Sequence, residues 1–306
     1  MTSVLITGPT RGLGHAAVRA MASNPARPDL LLVGRSGAAL TSVAEEARAL
    51  GATVYEIGCD LSRLAEVRAA ATTVRDLLAT GKVRPLRALV ANAGAMSSDT
   101  RLASADGYEM TFAVNYLAHA QLIGDLLDAS TAPARIVLLG SNTYYANFWR
   151  RLLGVAQAQW QDPVDLARPA TGDSNPGMKA AGVAYSNAKL AILYYAHELQ
   201  RRVGPGVTVS VYEPGWMPGT SLSRGAPAAI QVIGRGLARV PGLATPDRSG
   251  PVLASIALDA RWAHLRDGAF VVRDKVADVR PIAHDRGRER RLWEATAELL
   301  DRALAG

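Results

Sequence analysis

Tyr185 and Lys189 stand four positions apart, the spacing that puts two side chains on one face of a helix. A phenol with its ordinary pKa near 10 exchanges its proton poorly at neutral pH. An ammonium beside it favours the phenolate and lowers that value, by about 1.4 kcal/mol for each unit. Such a pair can pass a proton to or from an oxygen whose carbon gains or loses a hydride. Positioned acid–base catalysis of this type contributes roughly 10²–10⁴-fold. Alone, a Tyr–Lys pair at this spacing is as easily surface decoration, so the chemistry needs a scaffold and partners.

The first partner is a glycine turn. Residues 7–14 read Thr7-Gly8-Pro9-Thr10-Arg11-Gly12-Leu13-Gly14, directly after the apolar run Val4-Leu5-Ile6. Glycine has no Cβ and tolerates positive φ, so such a turn lets backbone approach a pyrophosphate. The exposed amides and dipole of the following helix N-terminus favour the phosphate charge. Gly8, Thr10, Arg11, Gly12, Leu13 and Gly14 are therefore candidate contacts to a dinucleotide. An acid about 20 residues on would bind the ribose hydroxyls of NAD. Here Leu32-Val33-Gly34 runs instead into Arg35, 21 positions after Gly14, and Ser36. A guanidinium there can pair with a 2′-phosphate, with Arg11 as the other side of a clamp. The pattern favours NADP(H) over NAD(H).

Short β-rich runs alternate with longer helical stretches. Strands are predicted at 4–7, 30–33, 53–57, 88–90, 135–139, 207–212 and 269–272. Helical periodicity covers 12–23, 38–50, 64–78, 104–130 and 183–202, and an amphipathic C-terminal helix occupies 283–306, clearest over 289–304. This alternation predicts an α/β fold of Rossmann type, a doubly wound parallel sheet of about seven strands with helices on both faces. The continuous apolar strand runs fit a sheet covered on both sides. Two long segments break the rhythm, an insertion at 142–182 and a Gly- and Pro-rich stretch at 216–244. No repeat or interdomain linker is visible, and residues 1–306 are read as one domain.

On these motifs the sequence resembles the short-chain dehydrogenase/reductase family over residues 3–272. The glycine turn has the family's TGxxxGxG form. Asp60 and Leu61 after the third strand, Asn92-Ala93-Gly94 after the fourth, and Pro214-Gly215 after the sixth match its cofactor-side elements. Asn115, Ser141 and the Tyr185-Ser186-Asn187-Ala188-Lys189 signature match its catalytic set. The resemblance implies Tyr185 as proton donor or acceptor and Lys189 as a contact to the nicotinamide ribose. It implies Ser141 as a donor to the substrate oxygen, in the manner of an oxyanion hole, and Asn115 as holder of a water linking Lys189 to solvent. Ser141 and Tyr185 lie 44 positions apart, a long connection similar to that of the protochlorophyllide reductase and retinol dehydrogenase branch. The helices at 104–130 and 183–202 are the family's usual dimer faces, so homodimer and monomer both stay open.

The insertion opens with Tyr144, Tyr145, Phe148 and Trp149 and later carries Trp160. With Trp216 they suggest a flat apolar wall for a bulky hydrophobic substrate; the alternative is that they anchor the segment to the sheet. Residues 216–244, with Gly219, Gly225, Gly234 and Gly236, suggest a hinged flap. The expected activity is an NADPH-dependent ketoreductase or alcohol dehydrogenase. Reduction of an activated C=C bond and non-catalytic NADP(H) sensing are the alternatives. The net charge of +7 raises nucleic-acid binding, but the densest cluster (Arg286, Arg288, Arg290, Arg291) reads as a solvated helix start. Five scattered histidines offer no metal-ligand spacing, and the single Cys59 fits a reducing, cytoplasmic setting. No apolar run is long enough for a membrane span.

Overall fold

Runs such as Val4-Leu5-Ile6 and Leu30-Leu31-Leu32-Val33 have a reason to be apolar on both faces. In the computed structural model, which describes residues 2–146, 156–217 and 244–305, their side chains alternate between two cores. Leu5, Leu31 and Val33 enter one; Val4, Ile6, Leu30 and Leu32 enter the other. The strands are β1 (Ser3–Thr7), β2 (Asp29–Gly34), β3 (Val54–Gly58), β4 (Leu86–Ala91), β5 (Ser130–Leu139), β6 (Val207–Glu213), β7 (Ala269–Val272) and β8 (Lys275–Ala277). They make one sheet in the order β3-β2-β1-β4-β5-β6-β7-β8. All pairings are parallel except β7 with the short β8. All seven predicted strands are present, and β8 is an eighth, hairpin-linked edge strand. The winding direction reverses between β1 and β4, which opens a crevice at their C-terminal ends, where ligands of such sheets bind.

The helices are α1 (Gly12–Ala22), α2 (Ala38–Ala49), α3 (Leu64–Ala79), α4 (Met110–Phe112), which continues through a π turn (Ala113–Leu117) into α5 (Ala118–Leu126), α6 (Pro163–Leu166), α7 (Gly177–Arg202), α8 (Pro246–Leu258) and α9 (Arg286–Ala305). α1, α2 and α8 cover one face of the sheet; α3, α5 and α7 cover the other. α8 approaches α1 at a glycine: a Cβ on Gly250 would lie 2.5 Å from Ala16 Cβ, 2.6 Å from its carbonyl carbon and 2.8 Å from Ala17 N.

The predicted helix at 104–130 is shorter. It starts only at Met110, because the Glu109 carboxylate accepts hydrogen bonds from the amides of Thr111 (3.0 Å) and Phe112 (2.7 Å) and caps it there. β5 then begins at Ser130 rather than 135.

The C-terminal helix fastens the outer side of α7. Trp293 stacks on Tyr195 with centroids 5.6 Å apart. The buried Glu289 accepts from Arg201 at 2.5 Å and lies 2.9 Å from His197 Nδ1. Tyr116 Oη and Thr296 Oγ1 are 2.5 Å apart. No helix among the described residues is long and apolar enough to cross a membrane.

Candidate active site

β1 ends in Thr7, and the turn that follows is built by contact with β4's exit. Gly8 has φ +65°, and a Cβ on it would lie 2.9 Å from Ala93 Cα. Gly14, at the start of α1, would drive a Cβ into the Gly8 carbonyl oxygen and to 2.6 Å from Asn92 Nδ2. Gly12 has φ +55° and open space around it. Thus Gly8 and Gly14 are glycines for close approach, and Gly12 is one for its backbone angle. Asn92 locks the turn, its Nδ2 donating to the carbonyls of Thr7 (2.9 Å) and Gly8 (3.2 Å). The Thr7 hydroxyl accepts the amides of Asn92 (3.0 Å) and Ala93 (2.9 Å). Thr10 is half-buried in the turn, Leu13 points into the core, and Arg11 is exposed at the helix N-cap with extended backbone.

At the end of β2, Arg35 and Ser36 are exposed. The Ser36 hydroxyl folds over Gly58 at the end of β3, where a Cβ would collide with it. Asp60 is held by Ser62, whose amide (2.9 Å) and hydroxyl (2.8 Å) donate to one carboxylate oxygen. Burial pushes its carboxyl up, but the Ser62 bonds and the charges of Arg35 and Arg63 outweigh this and hold it below the usual range. Leu61 is buried beside it. The Cys59 thiol is buried, and its pKa is pushed up to about 12, chiefly by desolvation; it is an inert core residue.

Across the crevice, β5 delivers Ser141 and α7 delivers Tyr185 and Lys189. The Ser141 hydroxyl stands near enough to the Tyr185 phenol to pull its pKa down, and it accepts the Thr143 amide at 3.3 Å. Lys189 is 1% exposed and donates to the Leu139 carbonyl at 2.7 Å, with Nζ 5.5 Å from the Tyr185 ring centroid. Burial pulls its ammonium down to about 7.

The sequence predicts that Lys189 lowers the Tyr185 phenol. In the structure burial pushes that phenol well above its ordinary value; the nearby Ser141 hydroxyl recovers part, and the Glu213 carboxylate raises it further. The reason is geometric: Lys189 points at a carbonyl rather than at the phenol. Tyr185 is held as a proton-loaded phenol.

Asn115 sits in the π turn, a local defect often found at functional sites. Its Nδ2 donates to Ala95 O (2.6 Å) and Thr111 O (2.7 Å), and its Oδ1 accepts the Ala95 amide (3.2 Å) with a second lone pair to spare. What Asn115 does here is fasten residues 92–95 from the far end. A Cβ on Gly94 would lie 2.7 Å from Asn115 Oδ1 and 3.9 Å from Lys189 Nζ, so Gly94 lets the two catalytic helices meet the loop.

Pro214 and Gly215 close the site beyond β6. Gly215 has φ +93°, and a Cβ there would lie 3.0 Å from Ala244 Cβ. Glu213, buried immediately before them, is a site residue that the sequence reading passed over; its place beside Pro214-Gly215 is the only cue.

The aromatic wall divides. Tyr144 is 2% exposed, and its hydroxyl accepts the Arg280 amide at 3.0 Å, so it anchors the segment instead of lining an open surface. Trp160 does the same, edge-on to Tyr194 at 4.8 Å. Tyr145 and Trp216 are exposed, 37% and 62%. Phe148 and Trp149, and the flap glycines Gly219, Gly225, Gly234 and Gly236, lie outside the described residues.

Known proteins share this layout. A family model described as short chain dehydrogenase matches residues 2–148. A Streptomyces sp. (strain C5) protein, provisionally described as a daunorubicin C-13 ketoreductase, is 31% identical over 296 residues, covering 96% of this chain and 91% of the relative. The chain belongs to the short-chain dehydrogenase family. A short-chain dehydrogenase of Talaromyces variabilis is 26% identical over 356 residues, covering 95% of this chain and 93% of its own. Among solved structures, a short-chain dehydrogenase from Burkholderia cenocepacia J2315 in complex with NADP superposes with TM-score 0.64 at 22% identity, covering 89% of this chain and 96% of that one. The likeness in structure carries the Rossmann-type fold; membership of this oxidoreductase family rests on the sequence match.

Proposed function

We propose that this short-chain dehydrogenase is an NADP(H)-dependent ketoreductase, with Tyr185 as the proton donor to a bulky, apolar carbonyl substrate. The observation that carries the reading is the buried Lys189, 5.5 Å from the Tyr185 ring and bonded to the Leu139 carbonyl two residues before Ser141, across one strand from the glycine turn. The residues present fit the cofactor. Gly12, at the start of α1, has open space where a Cβ would stand, while Gly8, Gly14 and Gly94 let the turn, the β4 exit and Asn115 approach closely around it. Arg11 and Arg35 are exposed beside the turn, and no acid ends β2. These features support a 2′-phosphate, as does the NADP complex of the Burkholderia cenocepacia relative.

When bound, NADPH supplies the hydride. Ser141 donates a hydrogen bond to the substrate oxygen and steadies its developing charge. Tyr185 then releases its proton to that oxygen. Once the phenolate forms, Lys189, whose Nζ lies 5.5 Å from the Tyr185 ring, supplies a buried cation on the same helix face, and with a pKa of about 7 it can exchange a proton at neutral pH. The phenol pushed up by burial stays protonated at neutral pH, the state a reduction starts from, although the same shift makes it a weaker acid. A carbonyl as the reacting group is supported by the relative described as a ketoreductase. A bulky substrate is supported by the exposed Tyr145 and Trp216, which follow Ser141 and Gly215 closely in the chain. The 44-residue connection supports a place near the protochlorophyllide reductase and retinol dehydrogenase branch.

The test is NADPH oxidation against aromatic and polycyclic ketones, repeated with NADH and with Tyr185→Phe. The expected result is turnover with NADPH, lost at least about 100-fold in the variant with NADPH binding intact. Equal rates for Tyr185→Phe and the parent would remove Tyr185 as the donor.

A further inference from the structure

His119 lies one turn beyond Asn115 on α5, is 2% exposed, and takes no part in the chemistry above. Its Nε2 is 2.9 Å from the Thr7 hydroxyl, and its Nδ1 is 3.0 Å from the Asn115 main-chain carbonyl. Donor and acceptor roles follow by counting. A hydroxyl has two lone pairs and one proton. The Thr7 oxygen already accepts two amides, those of Asn92 and Ala93. A carbonyl only accepts, so Nδ1 carries the ring proton and donates to Asn115 O. The Nε2 of the neutral ring is then bare and accepts the Thr7 hydroxyl.

The bonds form a closed ring. Thr7 holds residues 92 and 93; Asn115 holds residue 95 through both ends of its carboxamide; His119 joins Asn115 back to Thr7. The ring encloses the segment that carries Gly94, with the glycine turn on one side and the catalytic helices on the other. We propose that His119 is a positioning residue which couples the cofactor turn to the Asn115 π turn, acting as a neutral, one-directional link from Thr7 to Asn115.

A cationic ring would present a second N–H to an oxygen that already faces the amides of Asn92 and Ala93, and would weaken the link. Burial pulls the His119 pKa down to about 4, and the one charged group facing it among the described residues, Lys189, pushes the same way; only the Asn115 bond opposes. The ring thus stays neutral across the working range. The inference rests on reading the glycine turn as the cofactor site.

Two measurements test it. In ¹⁵N-edited spectra of the imidazole, we expect Nδ1 protonated and Nε2 bare from pH 8 down to pH 5. An Nε2-protonated or cationic ring at pH 7 overturns the link, and this readout needs no variant to fold. The second is a double-mutant cycle on NADPH binding with His119→Phe and Thr7→Val. His119→Phe is expected to weaken NADPH about tenfold, one hydrogen bond with its buried partner orphaned, and Thr7→Val by more, since it also frees the Asn92 and Ala93 amides. If His119 acts through Thr7, adding His119→Phe to Thr7→Val costs nothing further. A further tenfold loss in the double variant overturns the coupling while leaving the cofactor assignment intact. A parent protein that does not bind NADPH at all would instead overturn the proposed function, and this inference with it.

Discussion

Gly14→Ala sets two known effects against each other. Gly14 has ordinary helical backbone, so alanine there would normally gain about 0.5–1 kcal/mol in helix stability. Against this, the new methyl overlaps the Gly8 carbonyl and sits 2.6 Å from Asn92 Nδ2. Neither atom yields cheaply. The Gly8 oxygen is main chain, and Asn92 Nδ2 is committed to the carbonyls of Thr7 and Gly8. Overpacking of this kind costs about 1–3 kcal/mol. Sterics win, leaving a net loss of about 1–2 kcal/mol, or a melting point lower by about 1.5–3 °C for a chain of 306 residues.

The displaced turn is the proposed cofactor site, so NADPH affinity should fall by about 5–30-fold over the same energy range. Gly12→Ala is the control: its φ of +55° strains alanine by about 1 kcal/mol, but nothing lies within 4 Å of the new methyl. Differential scanning fluorimetry and NADPH titration read both variants. A Gly14→Ala protein that melts no lower than the parent and binds NADPH as tightly would refute the close-approach reasoning.

Three further outcomes follow from the site. Arg35→Ala should raise the KM for NADPH about tenfold or more and leave that for NADH unchanged, since one charge-assisted contact to the 2′-phosphate is lost; steady-state kinetics with both cofactors decide it. Lys189→Met should raise the urea midpoint of the unliganded protein at pH 6.5 and flatten its pH dependence. The folded pKa of about 7 lies below the unfolded value of 10.5, so the unfolded chain binds more protons between them and parent stability climbs as pH rises through that window. Glu213→Gln should move the alkaline limb of the reduction profile to lower pH. The carboxylate raises the Tyr185 pKa, and donation is lost as pH climbs through that value, so removing the charge brings the loss earlier.

The parts of the site legible in the sequence are those whose chemistry is local. Gly8, Gly12 and Gly14 sit in one turn, and Tyr185 and Lys189 on one helical face. Strand positions were legible because a sheet buried on both sides leaves unbroken apolar runs. What stayed hidden depends on contacts between distant segments. α8 carries Pro246, Gly250 and Pro251, which read as loop residues, and is a helix because it docks on α1. The π turn at Asn115 depends on an amide fastened to Ala95, twenty residues away. Tyr144 reads as a surface aromatic until Arg280 is brought to it. The direction of the Tyr185 shift was misjudged because spacing shows that Lys189 shares its face but not that the ammonium turns to Leu139 O.

The meeting of α8 with α1 bears on how this chain can vary. Shrinking Ala16 to glycine would remove the 2.5 Å contact that a larger residue at position 250 makes with its methyl. It would leave the Ala16 carbonyl carbon at 2.6 Å and the Ala17 nitrogen at 2.8 Å. No side-chain exchange at either partner restores the space, so the site admits no compensating pair. The gap between the two helices behind the glycine turn is gauged by main chain alone. It behaves as a fixed bearing, and drift elsewhere on α1 or α8 has to proceed around it.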